Sequence, residues 1–222
     1  MELGRWENDA PGLNIVEPNR NRAHTSCMGI LTFFRSGDSE PEFEPPNEGL
    51  SDLPAQFTVE ELSSELLNLL LKSTKSMAQL AIFASRAVST EERNRVIEEC
   101  LIFYWWYLEE LIDGRKAILE GVHKGFGEFL WDLEAIREQI GHYESKSMIR
   151  HQQYGRIFQE AGGGANLAES VAPILVENIL CDGEWRVSLF SVQVSMIDCI
   201  QTFGRLVFQA LSTPVKRGRP YG

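Results

Sequence analysis

Residues 89–114, which read STEERNRVIEECLIFYWWYLEELIDG, contain both the start and the stop signal of a long helix. Ser89 and Glu92 have the spacing of a capping box, in which a hydroxyl and a carboxylate three residues later satisfy the first free backbone N–H groups. Apolar residues then recur at helical spacing until Asp113-Gly114, a pair that favours a turn. The stretch therefore predicts a long α-helix that reaches Leu111 and stops at Asp113-Gly114.

Similar start signals recur on both sides of this helix. Thr58 and Glu61 form a second capping box in front of a leucine-rich segment, and Asn166 and Glu169 repeat the pattern of an N-cap followed by an acid. Segment 76–88 either continues the leucine-rich helix or forms its own. Further helices are predicted over 115–122, 127–140, 145–161, 166–181 and 185–211. The chain is thus expected to be all-α, a bundle of about six to seven helices.

The last predicted helix leaves one alternative open. Residues 187–196 also alternate between apolar and polar at every second position and are rich in valine, which is equally typical of a strand. As a helix, the segment would bury one apolar stripe made of Phe190, Val194, Ile197, Cys199, Ile200, Phe203, Leu206 and Val207.

Proline and charge mark the domain boundaries. Six of the nine prolines lie in residues 1–55 and two in the last nine residues, whereas proline is nearly absent between them. Residues 37–55 also contain six acids and no base, a composition typical of disorder. The predicted organisation is a disordered acidic arm over 1–55, a helical domain over 56–212 and a flexible basic tail over 213–222.

The overall composition disfavours several classes of protein. A net charge of −11 opposes general nucleic-acid binding. The four cysteines form no Cys-x-x-Cys pair, so neither a zinc site nor a redox motif is expected. No apolar run is long enough for a membrane span, and the first residues lack the pattern of a signal peptide. We therefore expect an intracellular protein, cytoplasmic or nuclear.

The most unusual feature of the sequence is the aromatic run of residues 103–107. Successive residues of a helix are about 100° apart, so five consecutive rings surround the whole helix. A small bundle is not expected to bury every face, which predicts that one or two rings face a partner chain or a groove. The alternative is a central helix that is surrounded on all sides. The predicted partner-binding residues are Tyr104, Trp105, Trp106 and Tyr107, in an interaction protein that binds a partner or itself.

The end of the chain carries a short basic motif. Residues 217–220, Arg-Gly-Arg-Pro, resemble the core of an AT-hook, whose arginines enter the narrow minor groove of A·T-rich DNA. This resemblance implies a nuclear, DNA-tethered regulator as an alternative function, with Lys216, Arg217 and Arg219 as the nucleic-acid-binding residues. A nuclear-import or docking tail and a solvated tail are the other interpretations.

A second local resemblance lies farther back in the chain. Tyr154-Gly155-Arg156-Ile157, with Gly162-Gly163-Gly164-Ala165 and Glu169-Ser170-Val171 after it, resembles the first homology region of Bcl-2-type proteins. Asp182-Gly183-Glu184-Trp185 is similar to part of their second region. The resemblance implies a helical regulator of apoptosis as another alternative function.

Nothing in the sequence favours an enzyme. Glu120 and His123 have the Glu-x-x-His spacing of di-iron bundles, but the second such motif that these sites need is missing. The glycine clusters lack the lysine and hydroxyl of a phosphate-binding loop, and no serine has the context of a nucleophile elbow. We therefore predict no catalytic residue, metal, cofactor or small-molecule substrate.

Overall fold

The computed structural model describes residues 56–84, 89–132, 140–162, 166–180 and 189–216. About 90% of this part is helical, with six helices and no strand, which confirms the predicted all-α bundle. The acidic arm predicted over 1–55 lies outside the described residues. The helices are α1 (Val59–Ala84), α2 (Thr90–Ile112), α3 (Lys116–Asp132), α4 (Ile140–Glu160), α5 (Leu167–Leu180) and α6 (Leu189–Ser212).

Both predicted capping boxes are present. The Glu61 backbone N–H donates to Thr58 Oγ1 at 3.1 Å, and the Thr58 N–H donates to Glu61 Oε2 at 2.7 Å. Ser89 and Glu92 make the same reciprocal pair at the start of α2. The α2 helix ends at Ile112, and Gly114 adopts a φ of +79°, which is accessible to glycine at little cost.

The two helices predicted over 115–122 and 127–140 are wrong, because one continuous helix, α3, extends from Lys116 to Asp132. Its glycines do not interrupt it; two of them allow α1 and α3 to approach closely. A Cβ atom at Gly121 would lie 2.4 Å from Ser63 Oγ, and one at Gly125 would lie 3.0 Å from a Leu67 methyl carbon. The cost of glycine in a helix is therefore offset by close packing between the two helices.

The other helices follow the sequence pattern more closely. Segment 76–84 continues α1, and α5 contains Pro173 near its middle. Helix α4 begins at Ile140, five residues before the polar helix predicted over 145–161, and ends at Glu160. The final segment is helical from Leu189, so the strand alternative is wrong for residues 189–196.

The buried stripe of α6 differs from the predicted one at its beginning. Phe190 is 73% exposed and Val194 is 47% exposed, whereas Val192 and Met196 are buried. At about 100° per residue, both exposed residues lie about 160° around the helix from Val192. The predicted stripe becomes correct from Cys199 onward, where Ile200, Phe203, Leu206 and Val207 are buried.

Helix α2 lies at the centre of the bundle and contacts each of the other five helices. Helix α1 packs against α2, α3 and α6, and α5 packs against α6. This central position explains why the most aromatic segment of the chain belongs to α2, since large rings bury the most apolar area where several helices meet.

The two ends of the described helical part pair with each other. The Phe57 N–H donates to the Pro214 carbonyl at 3.0 Å, and the Lys216 N–H donates to the Phe57 carbonyl at 2.7 Å. Thus residues 214–216 of the tail predicted over 213–222 are paired with Phe57 at the start of the domain. Within the described ranges, no helix is long and apolar enough to cross a membrane.

Candidate functional site

All four rings predicted to bind a partner are buried within the chain. Tyr104 is completely buried, and Trp105, Trp106 and Tyr107 are 8%, 3% and 7% exposed. The expectation that a small bundle cannot bury every face of this helix is therefore wrong, because α2 is surrounded by five helices. These residues do not form an open apolar surface.

The rings pack against aromatic residues of three neighbouring helices, and Tyr104 and Tyr107 share Phe203 of α6. Tyr104 meets Phe203 of α6 edge-on at 4.8 Å between ring centroids, whereas Trp105 stacks almost parallel to Phe126 of α3 at 3.9 Å. Trp106 contacts Tyr154 of α4 at 5.4 Å. The run thus connects three helices to α2, and removal of a ring is expected to affect the fold first.

The two tryptophans nevertheless line a groove, as the sequence analysis allowed. The groove lies between α2, α3 and α4, has a volume of about 690 Å³ and is open to solvent. Trp105 and Trp106 contribute to its α2 side, Phe126 and Leu130 to its α3 side, and Met148 to its α4 side. We call it the α2–α3–α4 groove. Its polar lining consists of Glu109, Glu110, His123, Tyr143, Glu144, Ser147, His151 and Gln152.

Glu109 is the central polar residue of the groove. One carboxylate oxygen lies 2.9 Å from His123 Nε2, and the other lies 3.5 Å from His151 Nδ1. Burial raises the pKa of Glu109, and the contact with His123 partly opposes this effect. Burial also lowers the pKa of His151, which favours its neutral form. The carboxylate is thus partly desolvated and is held by two imidazoles from different helices.

Tyr143 adds a buried hydroxyl to the same groove. The residue is only 4% exposed, and its hydroxyl has no hydrogen-bond partner among the described residues. Burial raises the pKa of Tyr143 well above its usual value, and the charges of Glu98 and Glu109 raise it further. A buried polar group without a partner carries an energetic cost that a ligand can relieve.

Ser147 extends the chain of polar contacts from Glu109. Its Oγ lies 3.3 Å from His151 Nε2, so the three residues meet in the order Glu109, His151, Ser147. The order is that of a hydrolase triad. However, Ser147 lies in the interior of α4, where the backbone N–H groups bond within the helix and supply no donors for an oxyanion. The cluster is therefore better suited to binding than to acyl transfer.

The polar residues of this groove were not predicted from the sequence as a site. Tyr143, Ser147 and His151 are spaced four apart and so share one face of α4, which is a detectable signal. Their position opposite Glu109 and His123 depends on how three helices pack, and no spacing along the chain reveals it.

The isolated Glu-x-x-His pair has no metal-site geometry. Glu120 is exposed, whereas His123 contacts Glu109 across the helix interface. In the part of the chain that the structure describes, no group of three or more His, Cys, Asp or Glu side chains could hold a metal ion.

The thiols within the described helices are not suited to chemistry. Cys100 and Cys199 are both free and buried. Burial raises the pKa of Cys199 to about 11, so its thiol stays protonated at neutral pH and is a poor nucleophile.

Of the three predicted nucleic-acid-binding residues, the structure describes Lys216, which does not line the groove. Lys216 is exposed and pairs through its backbone with Phe57. Arg217 and Arg219 lie outside the described residues.

Comparisons of the chain with protein-family models, with curated proteins and with solved structures give no match.

Proposed function

We propose that this protein is a non-enzymatic interaction protein whose α2–α3–α4 groove receives a short linear segment of a partner protein. The observation that carries the proposal is the combination of indole rings, an exposed methionine and carboxylates in one open groove. Aromatic residues and methionine are typical of protein interfaces, and a few polar groups fix the orientation of the bound segment.

The size of the groove supports a segment rather than a large flat partner. Its volume of about 690 Å³ lies within the range of concave ligand sites and accommodates a few side chains. Met148 is 62% exposed, which leaves a flexible apolar side chain in contact with water at the edge of the groove. A flexible thioether adapts to different apolar partners.

The test uses a side chain that lines the groove but supports little of the fold. Truncation of Trp106, which is 3% exposed, would remove core packing and confuse loss of binding with unfolding. Met148 and Ile149 are a better pair, because they are adjacent in α4 and are 62% and 59% exposed. Only Met148 lines the groove.

The experiment selects peptides from a displayed random library of linear 12-residue peptides on the immobilised full-length protein. Affinities of the enriched peptides are then measured by calorimetry for the wild type, Met148→Asp and Ile149→Asp. We expect Met148→Asp to weaken binding at least tenfold and Ile149→Asp to change it less than twofold, with equal helicity in all three proteins.

Two results contradict the proposal. If no peptide is enriched above an unrelated helical protein, the groove does not bind linear segments. If the two substitutions weaken binding equally, the peptides bind somewhere other than the groove.

A further inference from the structure

The titratable groups of the α2–α3–α4 groove are strongly biased toward negative charge. Its described lining includes Glu109 and Glu110 from α2 and Glu144 from α4, together with His123 and His151. No lysine or arginine is among these lining residues. A groove with this lining favours a cationic ligand, as does the net charge of −11.

An acidic cluster alone would not indicate a ligand, but Glu109 is not an ordinary surface acid. Its side chain is 26% exposed, and both oxygens are oriented by histidines at 2.9 and 3.5 Å. Burial disfavours the carboxylate and raises the pKa of Glu109. A ligand cation would replace the hydration that burial removes, so this position favours a positively charged group more than an exposed glutamate would.

Tyr143 gives a second, independent indication. Tyr143 lines the groove and is 96% buried. Its hydroxyl nevertheless has no hydrogen-bond partner among the described residues. A phenolic oxygen accepts hydrogen bonds from N–H groups. The charge of Glu109 acts on Tyr143, so the two groups are neighbours, and a ligand with several N–H donors would satisfy this oxygen together with the Glu109 carboxylate.

The geometry points to an arginine side chain of the partner segment as the group that binds between Glu109 and Tyr143, and this inference rests on the proposed function. A guanidinium carries five N–H donors in a fixed plane, always retains its charge and is weakly hydrated, so it is suited to a carboxylate and a hydroxyl that are partly buried. Its aliphatic stem would lie along the apolar side of the groove, against Trp105 and Phe126.

The test uses the same peptide selection and asks which residue the enriched peptides share. We expect the enriched 12-residue peptides to share one arginine beside an apolar position. Replacing this arginine by citrulline, which keeps the shape and removes the charge, is expected to weaken binding to the wild type at least tenfold. Glu109→Gln is expected to weaken binding of the arginine peptide by a similar factor.

The change of arginine to citrulline in the peptide is then combined with Glu109→Gln in the protein. Coupling between these two changes distinguishes a direct contact from a general charge effect. If the arginine binds Glu109, the citrulline peptide binds Glu109→Gln almost as well as it binds the wild type, because the contact is already missing in both complexes. Glu128→Gln is the matched control, since it removes one exposed negative charge from α3 outside the groove lining. This control is expected to change affinity less than twofold.

The outcomes separate this inference from the proposed function. Peptides that depend on Met148 but contain no basic residue would overturn the arginine assignment and leave the proposed function intact. Equal binding of lysine and arginine peptides, or equal effects of Glu109→Gln and Glu128→Gln, would also overturn the assignment. Absence of any enriched peptide would overturn both.

Discussion

At the scale of single residues, one charged group is almost completely buried among the residues that the structure describes. Glu99 of α2 is 1% exposed and accepts hydrogen bonds from Arg150 Nε and Nη2, both at 3.1 Å, with Lys146 Nζ at 3.0 Å. Two cations from α4 therefore compensate one buried carboxylate. Such an arrangement favours one alignment of α2 against α4, because a shifted alignment would leave a buried charge unpaired.

We expect Glu99→Ala to lower the free energy of unfolding by about 3 kcal/mol, because two partly buried cations lose their shared partner. Urea denaturation measures this loss. The matched control is Glu98→Ala, which removes a 21% exposed carboxylate and should cost less than Glu99→Ala, because Lys146 keeps Glu99 as its partner. Equal losses in the two variants would contradict the view that Glu99 has a special role.

At the scale of secondary-structure elements, the contact between α1 and α3 depends on glycine. Ser63 Oγ donates to the carbonyl of Ile118 at 3.2 Å and occupies the space beside Gly121. The same helix contains Gly127, whose added Cβ would have no neighbour within 4 Å. Gly121 is thus required by packing, whereas Gly127 carries only the entropic cost of glycine in a helix.

This contrast predicts opposite effects of the same substitution. Gly121→Ala is expected to lower stability by about 2 kcal/mol, because the new methyl group would lie 2.4 Å from Ser63 Oγ and force the helices apart. Gly127→Ala is expected to raise stability by up to about 1 kcal/mol, as alanine favours the helix. Thermal unfolding of both variants would show the difference, and stabilisation by Gly121→Ala would disprove close packing at this contact.

At the scale of the whole molecule, the bundle is closed by the pairing of Phe57 with residues 214–216. Phe57 is 4% exposed, and Arg115 at the start of α3 donates to the carbonyl of Leu211 at 2.6 Å. The domain therefore extends in structure to Lys216. A deletion that tests the basic motif of residues 217–220 must begin after Lys216 if it is to leave this pairing intact.

We expect a chain that ends at Ser212 to be about 2 kcal/mol less stable than one that ends at Lys216. Two backbone hydrogen bonds to Phe57 disappear in the shorter chain, and the Phe57 ring becomes more exposed to solvent. Removal of residues 217–222 alone should leave stability within about 0.5 kcal/mol of the full chain. Chemical denaturation of the three chains provides the comparison, and identical stability for all of them would contradict a structural role of the pairing.

Most helix starts and ends follow from the amino-acid sequence alone, because these signals are local. Capping boxes at Thr58 and Ser89 and the stop at Asp113-Gly114 act over one turn of backbone, and each was predicted correctly. Apolar spacing likewise indicated an all-α bundle. Local signals were insufficient at Gly121 and Gly125, because the packing of α1 against α3 makes glycine suitable inside a helix.

The burial of the aromatic run and the contacts of the polar groove residues follow only from the packing of the bundle. Whether Trp105 is exposed depends on how many helices surround α2, and the contact between Glu109 and the two histidines brings together residues from three helices. No pattern along one helix specifies these contacts. Burial and pairing are properties of the packed bundle, since the groups that remove water from a side chain come from distant parts of the sequence.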